Sequence, residues 1–144
     1  MRSETERDSL SDILFNIDLA NSFADGFDYA GFVQDMRTFY AITRCLEIIS
    51  EASRRLSPEL KALHPDIPWR KVSGSGNVYR HDYEDVAHRL VWGTVRDFLP
   101  ARRAVVASEL AGDRSTGKAG KSRQFSPPRI SRNIATRSAK EAPV

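Results

Sequence analysis

The sequence contains little cysteine, no long apolar run and no stretch in which apolar and polar residues alternate. Its one cysteine, Cys45, excludes an intrachain disulfide, and nothing in the composition indicates an oxidising compartment. Apolar runs of only a few residues exclude a transmembrane helix, and no signal-peptide stretch follows the charged start. The missing alternation argues against β-strands. We therefore expect a soluble, cytoplasmic, helical protein without membrane association.

A net excess of basic charge is also missing outside the C-terminal part of the chain. The 144 residues carry a net charge of +3, of which residues 1–112 contribute −3 and residues 113–144 contribute +6. Nucleic-acid binding requires basic charge on one face of a folded domain, so the overall charge does not predict it here. We expect one helical-bundle domain over residues 1–112 and a disordered basic tail over residues 113–144.

Apolar residues recur at three- and four-residue steps through most of residues 1–112, which is the pattern of amphipathic helices. The first stripe covers residues 7–24 and ends at Asp25-Gly26, and the second predicts one long helix over residues 29–56. The predicted core positions are Leu10, Ile13, Leu14, Ile17 and Ala20 or Asn21, then Phe32, Met36, Phe39, Ile42, Leu46, Ile49 and Leu56, then Val86, Leu90, Val91, Val95, Phe98 and Leu99.

Proline and glycine indicate where the remaining helices begin and end. Ser57-Pro58 supplies an N-cap and a first-turn proline for a short helix that ends near His64-Pro65. Glycines at 74 and 76 interrupt a predicted helix over residues 69–81, which is therefore split or starts late. Pro100 predicts a kink or a fresh start in the last helix. The whole pattern predicts an all-α fold, an antiparallel bundle of four or five helices.

The candidate site is the segment from Asn77 to Tyr83. On a helix, Asn77 and His81 are four residues apart and share a face, so an amide and an imidazole can meet one ligand. Imidazole titrates near neutral pH, which suits proton transfer, and Arg80 can pair with phosphate. A histidine at a helix end is nevertheless more often a cap or a surface residue, and that alternative stays open on the pattern alone.

Two further patterns near this segment have simpler interpretations. The backbone amides of Gly74-Ser75-Gly76-Asn77 could hold a phosphate, but a linker or helix break is the favoured reading. His81, Asp85 and His88 recur at one and two helical turns, as metal ligands would. This spacing is common by chance, so we expect no metal site.

Cys45, the two tryptophans and a carboxylate pair also fit structural roles. Cys45 lies beside an apolar stripe and is expected to be a small buried residue. Trp69 and Trp92 could stack on bases, but at helical spacing they are expected in the core. Glu47 and Glu51 could act as an acid/base pair, but ion pairs with neighbouring arginines on a solvated face are expected instead.

Six short sequence blocks occur in an order and spacing that resemble those of a known protein family. The blocks are Arg7 to Leu14, Ile48 to Ala52, Leu56 to Pro58, His64 to Trp69, Asn77 to Tyr83, and Leu99-Pro100. In this order and spacing the chain resembles the HepT family of the HEPN superfamily. The Pro-Asp-Ile-Pro-Trp block followed by His-x-Tyr is the most specific part of the match.

The resemblance implies a small helical toxin of a type VII toxin-antitoxin system. Family members are homodimeric, metal-independent endoribonucleases that need no cofactor, act on RNA and pair with a nucleotidyltransferase antitoxin. Their motif is Arg-x4-His-x-Tyr, and the antitoxin transfers AMP to the tyrosine. By position, His81 matches the acid/base histidine, Tyr83 the AMP acceptor, and Asn77 the polar residue after the arginine.

This sequence departs from the motif at one position, because Gly76 stands where the family has arginine. Losing one donor to the transition state costs about 10²–10³ in rate. Arg80 is the nearest replacement in sequence, and Arg70 or Lys71 could reach the site only if Gly74-Ser75-Gly76 folds them back. One alternative function is therefore a catalytically silent helical partner of a nucleotidyltransferase. A separate expectation is that the basic tail adds RNA affinity that depends on salt and not on sequence.

Overall fold

A computed structural model describes the backbone of residues 2–74 and 84–114, and the side chains of residues 2–74 and 87–112. In these ranges every regular element is helical, which confirms the predicted all-α bundle. The elements are α1 (Glu4–Ala24), α2 (Tyr29–Gln34), α3 (Met36–Arg54), α4 (Pro58–Leu63), α5 (residues 69–74), α6 (Glu84–Gly93), a π-helical turn (Thr94–Phe98) and α7 (Leu99–Arg114). No described helix is long and apolar enough to cross a membrane. The predicted tail from residue 115 onward lies outside the described residues.

Helix α1 forms as its sequence predicts. The Ser3 side chain accepts a hydrogen bond from the Glu6 N–H at 3.2 Å, which caps the helix, and acidic side chains in the first turn oppose the positive end of its dipole. Its buried stripe contains Leu10, Ile13 and Ile17. Gly26 has a φ of 83°, a left-handed conformation that glycine adopts without strain, and the chain leaves the helix there.

The long second helix predicted over residues 29–56 is wrong, because the chain breaks at Asp35. Asp35 has extended backbone angles, φ −105° and ψ 94°, and its carboxylate accepts hydrogen bonds from the N–H groups of Arg37 and Thr38. An aspartate that bonds these amides starts a new helix, and apolar periodicity does not detect it. The break leaves Met36 44% exposed, although it was predicted in the core, while Phe32 is fully buried.

The connection from α3 to α5 follows its proline signals. The Ser57 side chain accepts a hydrogen bond from the Leu60 N–H, Pro58 is the first residue of α4, and α4 ends at Leu63. The Trp69 indole N–H reaches the carbonyls of Lys61 at 3.0 Å and His64 at 3.1 Å. Trp69 is therefore a structural residue, as expected, and residues 69–74 are helical from this tryptophan onward.

Pro100 is accommodated by a π-helical turn and not by a break. The Leu99 N–H donates to the Thr94 carbonyl, five residues back, so the helical chain runs on through Pro100 without needing its missing N–H. The wider turn rotates the following side chains. Leu99 is fully buried while Phe98 is 53% exposed, and Leu90 is exposed as well. The prediction that Phe98 is a core residue is wrong for this reason. Leu90 precedes the turn, on α6, and is 37% exposed, so its predicted core position is also wrong.

The core lies between α1, α3 and the α6–α7 pair. Glu109 of α7 binds both Arg2, before α1, and His64, after α4, with 2.5 Å between His64 Nε2 and Glu109 Oε1. Arg103 of α7 pairs with Asp18 nearer the end of α1, at 2.6 Å. The start of α1 thus meets the end of α7, which makes these two helices antiparallel.

Candidate functional site

The residues predicted for the site, Asn77, Arg80, His81 and Tyr83, lie outside the described residues, as does Gly76. The structure describes the two flanks of this segment, and both flanks pack on α3. Ser73 on one side and α6 on the other are the described parts of the chain next to this segment in sequence.

The upstream flank is held by two side chains of α3. The Ser73 carbonyl accepts one hydrogen bond from Ser50 Oγ and one from Arg54 Nε, each at 2.9 Å. Ser50 is buried, Arg54 is half exposed, and the neighbouring Val72 is in the core. A carbonyl oxygen has two lone pairs, so α3 supplies a donor for each of them. The chain is thereby fixed to α3 three residues before Gly76.

The downstream flank is held by His88. This residue is buried, and its ring lies 4.2 Å from that of Phe39 and 5.9 Å from that of Phe32, between centroids. His88 is thus a core residue, and no group of metal-binding side chains occurs among the described residues. His81 and Asp85, which share the metal-ligand spacing with His88 in the sequence, have side chains outside the described residues.

The exposed surface of α3 carries both charge signs. Phe39 and Ser50 are eleven residues apart, which is roughly 16 Å along a helix. A shallow cavity of about 200 Å³ on this helix is lined by Arg44, Glu47, Ile48 and Glu51. Arg44 lies 3.1 Å from Glu47.

Arg54 lies 3.8 Å from Glu51 on the same surface. Glu47 and Glu51 are therefore ion-paired with arginines, as expected, and the paired charges give this surface little net sign. This face therefore has no excess of positive charge that would attract RNA.

A larger cavity lies on another part of the bundle. It has a volume of about 660 Å³ and lies between the end of α1 and the π-helical turn, with Asp18, Asp25 and Arg96 among its lining residues. Arg96 donates to the Phe27 carbonyl at 3.0 Å and stacks over Trp92 at 4.6 Å.

Cys45 and Trp92 have the structural roles that the sequence predicts. Burial raises the pKa of the Cys45 thiol to about 11, so it stays protonated near neutral pH and is a poor nucleophile. Trp92 is half buried and packs against Phe32, with 5.0 Å between ring centroids. Ser50 and Arg54, which hold the upstream flank, are not among the residues predicted for the site; their spacing of four residues on α3 is the signal that could have indicated them.

A family model described as "Ribonuclease HepT-like" matches residues 13–108, two thirds of the chain. The chain belongs to the ribonuclease HepT-like family. The match covers α3, both flanks and the whole segment between them, and it confirms the resemblance seen in the sequence.

Named proteins of this family align over most of their own length. "Probable ribonuclease HepT" of Thermococcus cleftensis is 36% identical over 97 residues, which is 67% of this chain and 88% of the relative. A "Putative RNase" of Methanocaldococcus jannaschii is 33% identical over 91 residues, 63% of this chain and 84% of the relative. A similarly named protein of Caldanaerobacter subterraneus subsp. tengcongensis is 31% identical over 97 residues, 67% and 87%. No solved structure matches this chain.

Proposed function

We propose that this chain is a HepT-type endoribonuclease that cleaves RNA without a metal ion or other cofactor. The observation that carries the proposal is the family match over residues 13–108, which contains the complete His81-x-Tyr83 part of the motif. Relatives that carry ribonuclease names align across the same region.

The chemistry requires three functions at one phosphodiester. A base takes the proton of the ribose 2′-hydroxyl, the oxygen attacks phosphorus, an acid protonates the 5′-oxygen as it leaves, and donors hold the charge on the phosphorane. We assign the acid/base role to His81 and phosphate positioning to Asn77 and Arg80. The packing of both flanks on α3 supports the assignment, because a catalytic segment must be held in a fixed geometry.

RNA cleavage by the purified full-length protein in the presence of EDTA tests the proposal. We expect His81→Ala to lower the rate by about 10²–10⁴. Gln34→Ala, an exposed change at the end of α2, is the control and should leave the rate within about twofold. Equal cleavage by wild type and His81→Ala would contradict the proposal, provided that both proteins give the same helical circular dichroism spectrum.

Regulation by a nucleotidyltransferase is a further part of the proposal. We assign Tyr83 as the AMP acceptor, in a homodimeric toxin whose partner is a cognate antitoxin enzyme. Incubating the protein with that enzyme and ATP, followed by mass spectrometry of the Tyr83 peptide, tests this assignment. Modification of wild type but not of Tyr83→Phe is expected. If Tyr83 stays unmodified, the regulatory part of the proposal is contradicted, whether or not the protein cleaves RNA.

Gly76 favours a second candidate function, a silent helical partner that binds the nucleotidyltransferase without cleaving RNA. Without the motif arginine, the family's phosphate-binding cation is missing at its usual position. Cleavage assays on wild type and Gly76→Arg separate the two candidates. An inactive wild type that gains activity in Gly76→Arg would support the silent partner, and an active wild type would exclude it.

A further inference from the structure

Three planar side chains meet at the wall of the larger cavity, the one between the end of α1 and the π-helical turn. Phe32 is fully buried, and its ring lies 5.0 Å from that of Trp92, between centroids. The guanidinium carbon of Arg96 lies over the Trp92 ring, 4.6 Å from its centroid. Arg96 is exposed and lines the cavity. The core therefore supports a flat cationic group at the cavity wall.

Two contacts hold Arg96 in one orientation. Its Nη2 donates to the Phe27 carbonyl at 3.0 Å, and the cation–π contact with Trp92 sets the plane of the guanidinium. One face of the guanidinium lies on Trp92, so its other face is directed away from the ring. A flat ligand can stack on that face with little further ordering of the side chain, because the side chain is already oriented.

We propose that this cavity binds one unpaired base of single-stranded RNA, stacked on the guanidinium of Arg96. The site rests on the RNA substrate of the nuclease proposed above, and it adds a contact made by α1 and the π-helical turn. Guanidinium planes of arginine are among the surfaces on which proteins stack unpaired RNA bases. Any base can stack in this way, because every base has a π-face.

The cavity has the size and the polar groups that a base requires. Its volume of about 660 Å³ lies within the range of about 300–1,000 Å³ that is usual for ligand sites. Asn21, Ser22 and Asp25 line it from the end of α1, while Val95 and Pro100 add apolar surface. An amide, a hydroxyl and a carboxylate together offer donors and acceptors to the polar edge of a base.

The charges around the cavity favour a base over a phosphate. Asp18 and Asp25 line the same cavity as Arg96, and Arg103 Nε lies 2.6 Å from Asp18 Oδ1. The carboxylates oppose the approach of a phosphate anion, whereas a base carries no net charge. The contact should therefore depend on the plane of Arg96 more than on its charge.

Binding of an uncleavable 2′-O-methyl single-stranded RNA to the full-length protein tests the site. Arg96→Lys keeps the charge and removes the plane, so it should weaken binding about 5- to 150-fold without changing the slope of log K against log salt. Arg37→Lys is the same change at an exposed arginine that lines neither of the two cavities, and it should stay within about twofold of wild type. Equal binding by wild type and Arg96→Lys would overturn the proposal.

A duplex of the same RNA sequence separates base stacking from contacts to the backbone. Its bases are paired and stacked on one another, so Arg96→Lys should leave duplex binding within about twofold of wild type. An equal loss for duplex and single strand would show that Arg96 acts through the fold or through phosphates, and it would overturn the base site.

Ser22→Met tests whether the base lies in the cavity. Ser22 is exposed and lines the cavity from α1, and the substitution changes neither Trp92 nor Phe27, the residues that orient Arg96. We expect single-strand binding to weaken at least about threefold, because the methionine and the base compete for one volume. Helical circular dichroism equal to that of wild type is the control for the fold. Unchanged binding by Ser22→Met would overturn the proposed location.

Cleavage by wild type is measured separately from binding. If wild type does not cleave RNA while its variants bind as expected, the nuclease is contradicted and the base site stands. If wild type cleaves RNA while Arg96→Lys binds like wild type, the base site is contradicted and the nuclease stands.

Discussion

Glu6 Oε1 accepts a hydrogen bond from the Ser57 N–H at 2.8 Å, which joins the first turn of α1 to the N-cap of α4. Glu6 is buried although it is charged, and it lies 51 positions from its partner. The same Ser57 caps α4 with its side chain. One serine therefore fixes where α4 begins and how it docks on α1, and α4 leads directly to the Trp69 helix that carries Ser73.

Glu6→Ala should lower the free energy of unfolding by about 1–3 kcal/mol, because it leaves the partly buried Ser57 N–H without its acceptor. Asp8→Ala, an exposed change on the same helix, should stay within about 0.5 kcal/mol of wild type. Urea unfolding followed by circular dichroism measures both. Equal losses would show that the Glu6 contact does not contribute to stability.

Asp35→Ala should lower the free energy of unfolding by about 0.5–2 kcal/mol, since it removes the cap of α3. Asp35→Asn keeps an oxygen that can accept from the Arg37 and Thr38 N–H groups, and it should cost much less. Thermal and urea unfolding of the two variants test this. If the alanine and asparagine proteins are equally stable, the break between α2 and α3 does not depend on the cap.

The π-helical turn predicts opposite results at two adjacent positions. Leu99→Ala should lower the free energy of unfolding by about 2–5 kcal/mol, because Leu99 is fully buried. Phe98→Ala should cost less than about 1 kcal/mol despite the larger side chain, because Phe98 is half exposed. Comparing the two variants by urea unfolding checks the register, and a greater cost at Phe98 would contradict the π turn.

The Cys45 thiol should make stability fall at high pH. Its pKa is about 11 in the folded protein and lower in the unfolded chain, so the folded state holds the proton more tightly. The protonated thiol therefore contributes fully to the free energy of unfolding below about pH 8.5, and this contribution is lost as the pH rises toward 11. Unfolding of wild type and Cys45→Ala between pH 7 and 11 measures it: the difference between them should shrink with rising pH. A constant difference would contradict the raised pKa.

Removing residues 115–144 should weaken RNA binding at low salt without changing where the RNA is cut. The C-terminal residues from 113 onward carry a net charge of +6, and such charge binds phosphates without sequence preference. Truncation after Arg114 keeps the last turn of α7 intact. Filter binding between 50 and 300 mM salt measures the effect, and an unchanged salt slope would show that the tail does not contact RNA.

Much of the fold could be predicted because local chemistry decides it. The α1 stripe, the Ser57-Pro58 start of α4 and the glycine after α1 each follow from a few neighbouring residues. The break at Asp35 and the exposure of Phe98 could not be predicted by periodicity. Both depend on which backbone amides a side chain or carbonyl reaches, and periodicity counts only apolar spacing.

For the candidate site, too, some features follow from the sequence and others only from the tertiary structure. The sequence by itself determined the family, and it shows the residues proposed for the site, Asn77, His81 and Tyr83, with glycine at position 76, because these are identities at fixed spacing. Only the tertiary structure decided that Ser50 and Arg54 meet the Ser73 carbonyl and that His88 is packed between phenylalanines. Such contacts join residues 19 or more positions apart, and they exist only after α3, α5 and α6 have packed around one core.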